Sequence, residues 1–94
     1  MERMCSAIDK EFASAGELAK TMAQAATEAL RKNDFEKGAA SLLTLQNLQG
    51  LTTPQSQAVY FAIRQVQIDA TQASANGDPR GDKGLEVLRG GGRR

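Results

Sequence analysis

The chain contains no histidine and no tryptophan. Without histidine it lacks the commonest general base, the usual activator of a nucleophile and the commonest zinc ligand. A single cysteine, Cys5, excludes an internal disulfide, and with it the small secreted domains held by cystine bridges. Aromatic residues are 4% of the sequence, too few to interleave with cations as a base-stacking surface. Charge of either sign is not in excess: 12 Lys and Arg face 11 Asp and Glu, for a net +1. That balance gives no field to draw in nucleic acid or an anionic membrane. No apolar run approaches the roughly 18 residues of a membrane span. The opening "MERMCSAIDKEF" lacks the apolar core of a signal peptide and the small-residue lead-in to a lipidated cysteine. The expected default is a soluble, cytoplasmic chain. Export to the envelope stays open as the alternative if the sequence is part of a longer precursor.

What is present is alanine and helix punctuation. Ninety-four residues make one domain at most. Apolar residues are 40% of the chain, but 15 of them are alanine. The core is therefore expected to be small, and self-association would bury area that one short chain cannot cover. Residues 1–89 read as a single helical domain, and the closing "GGGRR", residues 90–94, as a disordered tail.

Helical periodicity dominates. From Ser6 to Lys32, Ile8, Phe12, Ala15, Ala19, Met22, Ala26 and Ala29 recur at alternating gaps of 4 and 3, a heptad-like seam. Gly16 is a weak point of roughly 1 kcal/mol against alanine, where this segment can divide into an arm and a helix proper. Asn33-Asp34 punctuates the chain: Asn tolerates a left-handed helix end and Asp34 is a good N-cap. The next helix is predicted from Phe35 to Leu48. Its apolar residues cover more than half the circumference, so it should touch neighbours on more than one side. After Gly50, "LTTP" starts another helix, capped by either Thr52 or Thr53 and running to about Ala75. Val59, Ala62, Ile63, Val66, Ala70 and Ala73 form its main face, and Phe61 and Ile68 lie about 180° away. Asn76-Gly77 stops it, and Asp78-Pro79 opens a weaker helix to about Arg89. The expected fold is all-α: an antiparallel array or bundle of three long helices plus a short C-terminal one.

The chemistry-bearing motifs are weak. Asp9, Glu11, Glu17 and Glu28 are interspersed with cations and read as a solvated helix face; Glu28 and Lys32 form an i, i+4 pair. Cys5 has no histidine to activate it and reads as an incidental thiol near a mobile end. "NGDPRGDKG", residues 76–84, has a cation, Arg80, at the fifth position of a calcium loop and Val87 in place of the bidentate glutamate. It also lacks the Gly-Lys pair of a phosphate loop. It reads as a capped turn between helices.

One stretch resembles a known repeat. "ALRKNDFEKGAASLLTL" is similar to the centre of a tetratricopeptide-type repeat, where a helix ends, an Asn/Gly-Asp turn follows and an aromatic opens the next helix. Aligning Gly38 with the small residue of helix B places Ala26 on the small helix-A position and Leu42 on a bulky helix-B position. Ala29 stands where the family usually has tyrosine, and Gly50 where it usually has proline. The resemblance covers about residues 19–52, with no second copy at the family's period. The wider pattern is also similar to small bacterial helical proteins of unknown function. Both resemblances imply a helical-hairpin scaffold.

These readings point away from an enzyme, since no convergent polar site can be assembled. No cofactor, metal, nucleic acid or small-molecule substrate is expected. The expected function is a helical protein–protein interaction or self-assembly module; the alternative is a small structural or envelope-associated protein. From Gly38 to Gly77 the only charged residues are Arg64 and Asp69, and the polar positions are mostly Gln, Thr and Ser. Charge depletion of this kind marks interface cores. Phe61, Arg64, Gln65, Ile68 and Gln72 are the candidate contact residues. The competing expectation is that this helix is sandwiched inside the chain, with Phe61 and Ile68 in an intramolecular core.

Overall fold

Five helices account for the chain in the computed structural model, which describes residues 2–91: α1 Glu2–Glu11, α2 Glu17–Arg31, α3 Phe35–Gln46, α4 Thr53–Ala75 and α5 Pro79–Gly91. No strand occurs among the described residues. The fold is therefore all-α, as the periodicity implies, but with five helices in place of three long ones and a short one.

The extra helix comes from the division at Gly16. After Glu11 the chain closes turns from the Ala13 N–H to the Lys10 carbonyl and from the Ala15 N–H to the Phe12 carbonyl, at 3.4 and 3.2 Å. Gly16 then takes extended backbone (φ −60°, ψ 160°) as N-cap of α2, with no capping side chain. Gly16 is the residue here that disfavours a continuous helix, with Ser14 a weaker contributor; Ala13 and Ala15 favour one. The alternating seam is thus not a single stripe. Cys5 and Ile8 form the buried face of α1, with Phe12 buried just past its end, and Ala23, Ala26 and Leu30 lie on that of α2. Cys5 is not at a mobile end: it is fully buried, its Sγ 3.8 Å from the Thr27 carbonyl.

The other boundaries follow local chemistry. Asn33 adopts a left-handed φ of 60°, and the Asp34 N–H returns to the Ala29 carbonyl at 2.9 Å, closing α2. Asp34 then caps α3, its Oδ1 accepting from the Lys37 N–H at 3.1 Å. Thr52, not Thr53, caps α4 through a full capping box. Its Oγ1 accepts from the Gln55 N–H, and the Gln55 Oε1 accepts from the Thr52 N–H. Asp78 Oδ1 accepts from the Arg80 N–H, and its carboxylate also holds the Arg80 guanidinium at 2.9–3.1 Å. That side-chain hydrogen bond, then the backbone one, keeps the Asp78 carboxyl below its ordinary 3.8. α5 extends past Arg89 through Gly90 and Gly91, since glycine weakens a helix without sterically barring it. The remainder of the expected tail, residues 92–94, lies outside the described residues.

α3 and α4 form the middle of the fold. α3 touches α2, α4 and α5, and α4 touches α1, α3 and α5; α1 also leans on α2. The wide apolar arc of α3 is what lets it meet three neighbours. The core is one cluster in which Phe35, Ala39, Leu42 and Leu45 of α3 meet Val59, Ala62, Val66 and Ala70 of α4. Small residues bring backbones close. A Cβ on Gly84 would fall 2.5 Å from the Phe35 Cβ, and one on Gly81 would fall against the α4 backbone at Ala70 and Ser74. The glycines that make α5 look weak are its contact points. The thinnest dimension, 18 Å, is about two helix layers. In so thin a slab every helix keeps one face uncovered.

Candidate interaction surface

The uncovered face of α4 is unlike a typical solvated face. α4 buries Val59, Ala62, Val66 and Ala70, with Ile63 and Ala73 partly buried beside them. On the opposite side Phe61 is 64% exposed and Ile68 49% exposed. The intramolecular core expected for Phe61 and Ile68 is therefore not found: α1, α3 and α5 all touch α4, yet both side chains stay largely exposed. The same side carries exposed Arg64 and Gln72 and half-buried Gln65. The Gln65 Nε2 donates to Asp69 Oδ1 at 3.0 Å, one helical turn on. All five candidate residues thus share one face of one helix.

Tyr60 belongs with them and was not singled out from the sequence. It is 51% exposed, and its ring lies 5.9 Å from that of Phe61 in an edge-on arrangement of 67°. Adjacent helical residues point about 100° apart, so periodicity assigns Tyr60 to the flank; its ring turns back toward Phe61. A groove of about 340 Å³ lined by Gln46, Leu51, Ser56, Gln57, Val59 and Tyr60 borders this aromatic pair. Tyr60, Phe61 and Ile68 are three of the four large apolar residues most exposed among those described; the fourth, Leu18, stands apart on α2.

A second concavity lies between α1 and α2. This open cleft of about 610 Å³ has Phe12 and Ala23 among its walls and Asp9, Lys20, Thr27, Glu28, Arg31 and Lys32 around them. Four of its charges are engaged with one another. Arg31 Nη2 meets Asp9 Oδ2 at 3.0 Å, and Lys32 Nζ meets Glu28 Oε1 at 3.8 Å. The buried Thr27 hydroxyl lies 3.2 Å from both Asp9 Oδ1 and the Gln24 carbonyl, which share its one proton. Asp9, expected on a solvated face, is a half-buried tie between α1 and α2. These contacts hold two helices together and leave Asp9 and Thr27 occupied. Among the described residues no group of three or more Cys, Asp and Glu side chains is placed to hold a metal ion, and no helix is long and apolar enough to cross a membrane.

No family model matches the chain, and no curated protein or solved structure does either.

Proposed function

We propose that the protein is a non-enzymatic helical interaction module whose contact surface is the outer face of α4. One observation carries this reading: Tyr60, Phe61 and Ile68 stand exposed on a single helix face whose one cation is Arg64. Isolated exposed apolar residues are ordinary on protein surfaces. A contiguous group on one face, centred on two aromatic rings, marks a surface that meets another protein. Arg and the aromatic residues are the types enriched at interface cores, and Gln57, Gln65 and Gln72 supply hydrogen bonding at a lower desolvation cost than charge. The scaffold reading is a series of helical hairpins, with α2 and α3 as a tetratricopeptide-like pair, that holds α4 rigid at its centre. Rigid presentation lowers the entropy lost when a partner docks.

The test compares the wild-type chain with Phe61→Glu/Ile68→Glu by size-exclusion chromatography with light scattering, and by far-UV circular dichroism. The expected result is a helical variant that has lost the association its parent shows. A variant that is unfolded overturns the reading, because the face would then be needed by the chain's own core.

A further inference from the structure

The outer face of α4 carries a spacing that fits a second copy of itself. Phe61 and Ile68 are seven residues apart. Placing them at position d of a heptad puts Gln65 and Gln72 at a, Arg64 at g and Asp69 at e. The same register puts Val59 and Val66 at b, and Ile63 and Ala70 at f. These positions face away from a heptad seam and in this chain turn into its own core, together with Ala62 on the e flank and, in part, Ala58 at a. One helix thus has two apolar sides, one used inside the chain and one free to pair. The helix is 23 residues long, about 34 Å; besides Phe61, Ile68, Gln65 and Gln72 its a and d positions are Pro54, Ala58 and Ala75, so Phe61 and Ile68 are the two large apolar layers.

Charge selects the partner and its direction. In a parallel two-stranded arrangement, each g residue lies beside the e residue five positions further along the other helix. Arg64 and Asp69 are five apart, opposite in sign, and the only charged residues between Gly38 and Gly77. They sit on the two opposite flanks of the Phe61–Ile68 line. No ion pair forms on Arg64 within the described chain, and Asp69 is engaged only by the neutral Gln65 amide. A parallel second copy brings Arg64 to Asp69 of that copy twice, once on each side, while the carboxylate keeps its bond from Gln65. The antiparallel alternative, with Phe61 stacked on Ile68 of the other copy, centres the crossing between Arg64 and Gln65. Both arginines then fall on the same flank, side by side, and repel. We propose that the protein forms a parallel, in-register homodimer through the outer face of α4. Phe61 and Ile68 form its apolar layers, Gln65 and Gln72 its polar layers, and two Arg64–Asp69 pairs close its edges.

This proposal rests on the interaction reading above, and its test separates the two. Sedimentation of the wild-type chain over rising concentration should show the mass doubling. Arg64→Glu should weaken the dimer by about tenfold, since it turns two attractive pairs into two repulsive ones, and adding Asp69→Lys to it should restore the affinity. Ile68→Cys should oxidise to a disulfide-linked homodimer, with wild type as the control because Cys5 is fully buried. A mixture of Phe61→Cys and Ile68→Cys chains should give no enrichment of the mixed link. Three outcomes overturn self-pairing of this geometry: a wild-type chain that stays monomeric, a dominant mixed link, which reports antiparallel helices, or a charge exchange that fails to rescue. If the chain is monomeric while Phe61→Glu/Ile68→Glu stays folded, only the self-pairing falls and the surface reading stands. An unfolded double variant takes down both.

Discussion

Gly81→Ala is the sharpest test of how α5 is seated. Gly81 is buried where α5 crosses α4. A methyl group there would meet the Ser74 nitrogen at 2.6 Å and the Ala73 Cβ at 3.0 Å, with the Ala70 carbonyl closer still. Ordinary contact begins at 3.4 Å, so α5 has to withdraw by at least the difference, 3.4 − 2.6 = 0.8 Å. The obstacle is backbone, which cannot rotate aside as a side chain can. Withdrawal also loosens Leu85 and Leu88, which pack on the core from the same helix. Overpacking of this kind costs about 1–3 kcal/mol. Alanine recovers up to about 1 kcal/mol of helix propensity, less in a first turn. The net expectation is a loss of about 1–2 kcal/mol, which lowers Tm by about 4–16 °C in a domain of this size. Gly90→Ala is the internal control, because a Cβ at Gly90 meets nothing within 4 Å; it should leave Tm unchanged or slightly raised. Thermal unfolding followed by circular dichroism reads both. If Gly81→Ala is as harmless as Gly90→Ala, the close approach of α5 to α4 is wrong.

Three further outcomes follow from local chemistry. Gln55 serves two helices, since besides its capping box its Nε2 donates to the Glu11 carbonyl at the end of α1, 3.0 Å away; Gln55→Ala should cost about 1–2 kcal/mol in urea unfolding, and Gln55→Glu, which keeps the box but loses that donor, should recover only part of it. Gly16 caps α2 without a side-chain bond and with open space around it, so Gly16→Asp should stabilise by a few tenths to about 1 kcal/mol, read as a higher urea midpoint. Asp78 has its folded pKa depressed by Arg80, so its stabilising contribution is present above the ordinary 3.8 and is lost as pH falls through the lower folded value; an acid titration of Tm should show a shallower fall for Asp78→Asn than for wild type.

Much of the helix punctuation was legible because it rests on neighbours in sequence. Asp34, Thr52 and Asp78 act within three residues of themselves, and the left-handed turn at Asn33 follows from residue type. The five candidate residues on α4 share a face for the same local reason, a helical period. What was not legible depends on distant contacts. Nothing near Phe61 in sequence tells whether another helix covers it; that depends on where α1, α3 and α5 meet α4, which leaves Val59, Ala62, Val66 and Ala70 buried and Phe61 exposed. Gly81 and Gly84 look like weak points by propensity, and only the opposing α4 and α3 surfaces make them close-packing sites. Asp9 reads as solvated until α2 brings Thr27 and Arg31 to it. The turn at Ala13–Gly16 was half legible: Gly16 signals a break, but the alternating apolar seam runs across it and argues for continuity. Tyr60 was hidden by the same periodicity that revealed Phe61.

The central claim is that the outer face of α4 serves contact and not the chain's own fold, and the urea unfolding free energy of Phe61→Glu/Ile68→Glu tests it most directly. Phe61 buries only about a third of its surface and Ile68 about half. Full burial of such side chains is worth about 1.5–3 kcal/mol each, so losing both fractions costs about 1–2.5 kcal/mol in the isolated chain. Val66→Glu, on the inner face of the same helix at 0% exposure, instead leaves a buried unpaired carboxylate costing several kcal/mol, on the order of the whole stability of so small a domain. The account predicts a double variant that unfolds cooperatively within about 2.5 kcal/mol of the wild-type monomer, beside a Val66→Glu chain without a folded baseline. A double variant as unfolded as Val66→Glu would contradict it.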